Sequence, residues 1–447
     1  MSFVHLHVHS GYSQDSVIKI DELVHTAQSM NMPAVALTDH GQMFGTMEFY
    51  KTARGAGVKP ILGVETYVVP YRRHRGTNEP GHHLVLLAEH LEGYQNLCRL
   101  ISLANIEGFA CGQPRVDKEL LAAHSKGLIA LSACFQGEIP SLLQEGLPEK
   151  ARIAAEGYAR LFPSRFYLEL HRHGLPDQDA VNAGLVEIGR TLGLPLVAAN
   201  DCHYLEKEQA ELHKILLCGR MGRTLAEVEG FIFPSPEYYF KSPSDMAAAF
   251  PDLPEALANT LAVAERCQVE FPPARRVFPA FPAEKSSQLA GIVTFTRFSL
   301  PLALALVGRT LGLDEDEVEF LSSLARQERG EAELGQAVRD NPGLAKLLAW
   351  AAELENLPSH ASNHPTDLVF SDQPLWEYLP LARLPAWDEE EAEAQEAAID
   401  QATDETTAET CEKIELITQY EQEYVKALGL VKLYLPSLKN LIHYRRP

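Results

Sequence analysis

Short apolar runs alternate with amphipathic stretches through the first two hundred residues. Val4-His5-Leu6-His7-Val8-His9 alternates with the period of a strand. Ile20 to Met30 has the spacing of a helix that buries one face, and Ala34 to Leu37 is a short apolar run suited to a buried strand. Gly45 to Ala56 predicts another helix. Pro60 to Val64, His83 to Ala88, Leu128 to Ser132, Phe166 to Leu170 and Pro195 to Ala199 predict further strands. Such alternation predicts parallel strands joined by crossover helices. Seven or so units within 1–205 predict an α/β barrel rather than an open sheet.

Beyond 205 the pattern changes. Residues 206–282 read as mainly helical and end in the Pro-rich Phe271-Pro272-Pro273 and Phe278 to Pro282, where a boundary is expected. A second helical segment is expected over 288–380. Residues 388–412 hold eleven acids and no Lys or Arg, the composition of a solvated linker. A last amphipathic piece occupies 413–447.

Composition narrows the function classes. The chain has 447 residues, 46% of them hydrophobic, enough for a sizeable core. No run of about 18 apolar residues occurs, so no membrane span is expected. The start lacks a charged leader followed by an apolar stretch, and a cytoplasmic location is expected. Seven scattered cysteines with no CxxC argue against a disulfide framework or a zinc ribbon. Net charge is −22, and −11 without the acidic tract, which is not the basic footprint of a protein that grips DNA by its phosphates. Bound metal ions would supply local positive charge instead.

Fourteen of the 17 histidines lie at or before His213, and their settings repeat. His7 and His9 are two apart, so on a strand they share a face. Asp15 follows in the next loop, Asp39-His40-Gly41 ends the second strand, and Glu65 ends the third. Cys134 follows the strand at 128–132, and Asp201 and His203 follow the last. His83 is the exception, since it begins its strand. His5 shares the face of His7 and His9 but lies deeper, where it would support the site from below. Taken singly, each has an ordinary explanation: a core histidine, a capping aspartate, an inert thiol. Together they fall at the ends that converge in a parallel barrel. Imidazoles, carboxylates and a thiolate gathered there would bind several cations, which can polarise a phosphoryl oxygen, activate water and stabilise a leaving oxygen.

The motifs His7-Val8-His9-Ser10, Thr38-Asp39-His40-Gly41, Gly63 to Tyr67, His83 to Leu87, Ser132-Ala133-Cys134 and Asn200 to Tyr204 resemble the polymerase-and-histidinol-phosphatase (PHP) family. Within it the chain is most similar to the N-terminal domain of the bacterial DNA polymerase III alpha subunit, over about 1–280. The resemblance implies a distorted (β/α)7 TIM-like barrel, the PHP fold, over 1–205 with a helical extension, followed by a mainly helical remnant of the polymerase. It implies two to three divalent metal ions (Zn, Mn or Fe) held by His7, His9, Asp15, His40, Glu65, His83, Cys134, Asp201 and His203. The loop between Ser13 and Asp15 is one residue shorter than the family pattern. Asp201, His203 and His9 are the catalytic candidates, and His82, His171 and His173 the candidate substrate contacts.

The second half departs further from that family. Gly291 to Phe295, Ala303 to Leu313, Leu357 to His364 and Leu416 to Leu441 resemble segments that follow the polymerase palm. The palm itself, with its nucleotide-binding loop and paired catalytic aspartates, would fall between about 282 and 291 and is absent. Tyr434 stands where the third aspartate would lie, and the fingers and clamp-binding regions would lie beyond Pro447. The expected activity is metal-dependent phosphoester hydrolysis, as a 3′–5′ exonuclease on a DNA 3′ end, without polymerase activity. Two alternatives stand beside it. One is a small-molecule phosphatase of the histidinol-phosphatase type. The other is a non-catalytic accessory subunit of a replication or repair polymerase complex, docking through 288–447. Neither a membrane partner nor an oligomeric state is read from the sequence.

Overall fold

The computed structural model describes residues 2–70, 80–228, 235–274, 276–277, 288–327, 330–341, 343–383 and 416–434. Seven strands form the first sheet: β1 (Ala34–Leu37), β2 (Lys59–Val69), β3 (His82–Ala88), β4 (Arg115–Asp117), β5 (Leu128–Leu131), β6 (Phe166–Leu170) and β7 (Leu196–Ala198). Their order is β1-β2-β3-β5-β6-β7, with β4 beside the far end of β2. β1, β5, β6 and β7 are buried along their whole length, which is why they read as continuous apolar runs rather than alternating ones.

Three expectations are corrected here. The strands are not all parallel: β3 runs antiparallel to both β2 and β5. A strand covered on both faces reads the same in either direction, so the hydrophobic pattern carried no sign of the reversal. Glu65 does not end its strand but sits inside β2, opposite Val85, because β2 continues to Val69. Finally, Val4–Val8 is extended but forms no ladder strand. It divides its hydrogen bonds between two neighbours. Ala36 N donates to His5 O (2.9 Å) and Thr38 N to Val8 O (2.8 Å) on the β1 side, while Cys202 N donates to His7 O (3.1 Å) and His9 N to Cys202 O (2.9 Å) on the other. The segment thereby bridges β1 and the chain after β7 and curls the sheet into a barrel.

The barrel interior is packed with Val4, Leu6, Ala36, Ile61, Leu87, Leu131 and Val197, and Val263, Ala264 and Cys267 close one end. These last come from helix Pro254–Arg266 and its C-cap, in the region expected to be helical; Ala210–Arg220 and Pro243–Ala249 are its other helices. The run Phe278 to Pro282 lies outside the described residues.

The middle of 288–380 is helical as expected: Leu300–Thr310, Glu315–Ala325, Gly330–Asp340 and Leu344–Leu354. The flanks are strands, β8 (Leu289–Arg297) and β9 (Pro358–Phe370). With β10 (Leu381–Arg383), β11 (Leu416–Thr418) and β12 (Val431–Tyr434) they make a second sheet ordered β10-β11-β8-β9-β12. The acidic tract 388–412 and residues 435–447 lie outside the described residues. The two sheets share one hydrophobic cluster, to which Leu97 and Ile101 of helix Leu91–Glu107 and Leu381 and Tyr420 of the second half all belong. Across that junction the Tyr94 and Tyr420 hydroxyls lie 2.8 Å apart, Met43 N donates to Gln419 Oε1 (2.6 Å), and Leu381 N to Ser102 Oγ (2.9 Å). No helix among the described residues is long and apolar enough to cross a membrane.

Candidate metal centre

The antiparallel course of β3 resolves the exception noted in the sequence. Because β3 runs against β2, its first residues lie at the end where β2 finishes: Tyr67 pairs with His83. His83 therefore enters the same mouth as the ligand candidates that follow other strands. All nine candidates meet there. Glu65 is the hub, with His7 Nε2 at 3.4 Å, His9 Nε2 at 3.5 Å, His40 Nδ1 at 2.8 Å and His83 Nδ1 at 2.9 Å from its oxygens. Asp201 Oδ1 lies 3.4 Å from His7, 3.2 Å from His9 and 3.6 Å from His203. Asp15 Oδ2 lies 2.9 Å from His40 and 3.4 Å from His203. Cys134 Sγ is 3.7 Å from His83 Nδ1.

Backbone strain holds several of these groups. Gln14, just before Asp15, has φ 68°; Ala133, just before Cys134, has φ 61°; Asp201 itself has φ 46°. Non-glycine residues in this region are costly and persist where the surroundings impose them. Gly41 (φ 60°) turns the chain after His40, where a Cβ would meet Pro114 Cγ at 2.5 Å.

The electrostatics is that of a buried cluster of opposite charges. Burial opposes a charged His7, but Asp201, Glu169 and Glu65 outweigh it and raise its pKa well above the ordinary value. Burial likewise opposes charge on Glu65, yet His83, His7 and His40 hold its carboxyl well below the usual range. Asp201 and Asp15 are held down in the same way against burial, Asp201 by His7 and His203, Asp15 by His40 and His203. Burial pushes the Cys134 thiol well up, and Glu65 and Asp201 push it further, so a cation is needed to hold it as thiolate.

The donor set fits divalent metal ions. Among the described residues, His7 Nε2, His9 Nε2, Asp15 Oδ1, Asp201 Oδ1 and both oxygens of Glu65 are buried without a hydrogen-bond partner. Buried polar atoms are normally satisfied, so lone pairs that converge unsatisfied call for a positive guest. Among the described residues four overlapping sets have all their ligand atoms within 4.8 Å of one another: His9, Asp15, His40 and His203; His7, His9 and Asp201; His40, Glu65 and His83; and His7, Glu169 and His171.

Glu169 was not singled out in the sequence, although it is the one charge in the apolar run Phe166–Leu170. Its Oε1 lies 2.8 Å from both His7 Nδ1 and His171 Nε2. It thus fixes which His7 nitrogen faces the cluster. The expected substrate contacts are placed as follows. His171 and His173 are buried, the first held by Glu169 and the second by Asn200 O (3.0 Å) and the Tyr238 ring. His82 points away from His83 on the opposite face of β3, 3.3 Å from Gln136 O. None of the three lines the cavity above the cluster. Asp39 has a capping role: it accepts hydrogen bonds from Ser10 N, Ser10 Oγ and Ser13 Oγ, and Ser13 Oγ also lies 3.1 Å from His9 Nδ1. Burial raises the Asp39 carboxyl to about 7 against those bonds. His5 lies beneath the cluster, 2.8 Å from Lys241 O.

Comparison with known proteins adds the relationship. Residues 5–173 match the PHP domain family, and residues 284–435 match the family described as the bacterial DNA polymerase III alpha NTPase domain. The chain is 42% identical over 278 residues to DNA polymerase III subunit alpha of Borreliella burgdorferi, covering 60% of this chain and 24% of that protein. It is 36% identical over 381 residues to the same subunit of Thermus aquaticus, covering 79% and 31%. The chain thus spans about a quarter to a third of the length of these curated relatives. Among solved structures it resembles one described as a metal-dependent phosphoesterase from Bifidobacterium adolescentis (13% identity, TM-score 0.28, covering 45% of this chain and 88% of that one). An amidohydrolase from Chromobacterium violaceum gives 16% identity, a TM-score of 0.29 and the same coverage. Residues 5–173 are therefore matched as a PHP domain, and residues 284–435 are similar to a segment of the bacterial DNA polymerase III alpha subunit.

Proposed function

We propose that the barrel is a metal-dependent phosphoesterase that hydrolyses a DNA 3′ end as a 3′–5′ exonuclease. The observation that carries this is the convergence of nine metal-ligating side chains, with unsatisfied buried lone pairs, beneath a cavity of about 380 Å³. His7, His9, Asp15, His40, Glu65, His83, Cys134, Asp201 and His203 would hold two to three ions of Zn, Mn or Fe, which supply Lewis acidity and water activation when bound. Asp201 and His203, 3.6 Å apart, together with His9, orient the attacking water and the leaving oxygen. Arg220 also lines the cavity, its guanidinium held by the Pro358 and Ser359 carbonyls. The named relatives support DNA as substrate, and a replication or repair polymerase complex as the setting. Polymerase activity is absent in this reading, since Tyr434, exposed at the end of β12, stands in place of an aspartate.

The chain would be purified without chelator, its metals counted, and cleavage of 3′-labelled single-stranded DNA measured with Mn²⁺ against Asp201→Asn. Two to three metals per chain, with cleavage lost in the variant, are expected. Bound metals with hydrolysis of a phosphorylated amino alcohol but not of DNA would replace this reading by the small-molecule phosphatase, which the net charge of −22 favours. A folded chain without metal would leave the accessory role.

A further inference from the structure

A second, larger cavity of about 540 Å³ opens beside the metal cluster and shares Ser13, Gln14, His40 and Tyr67 with the smaller one. Its size falls in the range of roughly 300–1,000 Å³ usual for ligand sites. Both halves of the chain wall it. The barrel contributes Tyr67 and Phe109; β8, β9 and β10 contribute Phe295, His360 and Arg383.

Three properties of the lining point to one kind of guest. First, it offers aromatic faces. Tyr67 lies nearly parallel to His40 (6.0 Å between centroids, 20°), and Phe295 is fixed edge-on by Tyr12 and Phe44 (5.0 and 5.1 Å). Second, Phe109 leaves 41% of its surface exposed at the rim, where core packing does not account for it. Third, the chain holds 61 acids against 39 Lys and Arg, yet no Asp or Glu occurs among the described residues lining this cavity. Its ionisable side chains beyond tyrosine are His40, His360 and Arg383. An acid-free lining in an acidic protein suits a polyanion, and rings beside a guanidinium suit one that carries bases.

We propose that the second half supplies one wall of a groove for single-stranded nucleic acid. The bases lie against Tyr67, Phe109 and Phe295, the backbone runs past His360 and Arg383, and the terminal phosphodiester reaches the metal cluster. This rests on the phosphoesterase reading and deepens it: it fixes the substrate class and gives 288–383 a role in the site. Unpaired bases are selected because a duplex keeps its base faces stacked.

The test is fluorescence polarisation of a labelled oligothymidine of about ten nucleotides, within the ~4–16 of known single-strand sites. Its terminal linkages are phosphorothioates that slow hydrolysis, and the protein is the metal-loaded full chain. Wild type is expected to bind it and to bind a duplex of equal length more weakly. Phe109→Ala and Arg383→Glu are each expected to weaken binding at least about five-fold, the lower bound for loss of one stacking contact. Phe320→Ala, a ring 58% exposed and outside this cavity, should leave binding unchanged. Absence of binding, equal binding of duplex, or equal binding by Phe109→Ala and Arg383→Glu overturns the groove. Wild-type hydrolysis of bis(p-nitrophenyl) phosphate, measured in parallel, tests the cluster by itself. Hydrolysis without oligonucleotide binding sinks the groove alone. Binding with the expected variant losses but no hydrolysis sinks the phosphoesterase reading and leaves the groove standing.

Discussion

Both sheets of this chain bury carboxylates, and they treat them oppositely. In the second sheet Asp367 on β9 is 2% exposed and receives the Lys432 ammonium from the neighbouring β12. In the barrel mouth Glu65 is 1% exposed and faces four imidazoles, with neither of its oxygens hydrogen-bonded. In the first arrangement a lysine of the chain itself supplies the positive charge. The second is complete only with a cation among the lone pairs. Burial of an acid is thus a poor marker of chemistry; what surrounds it decides.

The sharpest way to break this contrast is to neutralise one carboxylate of each kind. Glu65→Gln should strip metal from the chain and lower hydrolysis by more than the ~10–100-fold typical of residues that only orient a ligand. Asp367→Asn should leave metal content and hydrolysis as they were. Equal losses in the two variants, by elemental analysis and initial rates, would erase the distinction. Next in size is Glu169→Gln. The carboxylate that holds His7 and His171 is expected to contribute about 10–100-fold in metal affinity, read by metal titration. An unchanged affinity would make Glu169 a packing residue.

The contrast recurs within the barrel between His7 and its near neighbour His5. Burial beside Lys241 lowers His5 to about 4, whereas the carboxylates raise His7. His5 is therefore neutral in the fold, and below its ordinary pKa the unfolded chain binds a proton that the folded chain refuses. Its contribution to stability is full above about pH 6.5 and is lost as pH falls toward 4, by roughly 3 kcal/mol. Urea midpoints in chelator at pH 7 and 4.5 should fall more for wild type than for His5→Gln; parallel falls would refute it. The smallest effect is expected at the junction. Tyr420→Phe removes the hydroxyl facing Tyr94 and should cost about 1 kcal/mol without altering hydrolysis. A loss of hydrolysis there would mean that the halves communicate.

Much of this was legible in the sequence, and the failures have physical causes. The nine ligand candidates could be read because each sits beside an apolar run that had to be buried. β1 and β6 were placed to the residue, since a short run covered on both faces has no polar position to blur its ends. The direction of β3 was not legible for the same reason. The second sheet was hidden because β8 pairs with β9 across the four intervening helices, while β10 and β11 have three residues each, too few for any periodicity. Glu169 could have been found: a single charge inside a wholly buried strand must meet a partner.

The Val4–His9 segment carries one more consequence. His5 and Cys202 lie 197 positions apart, and the segment's hydrogen bonds reach across that separation. During synthesis His7 and His9 emerge long before Asp201 and His203, and the ring cannot close until the later strands exist. Contacts of such long range form late in folding. The metal-binding cluster is then created by the last closure of the barrel. Premature capture of an ion by the early histidines would hold the chain in an incomplete state, so metal supply during refolding should govern the yield of native protein as well as its activity.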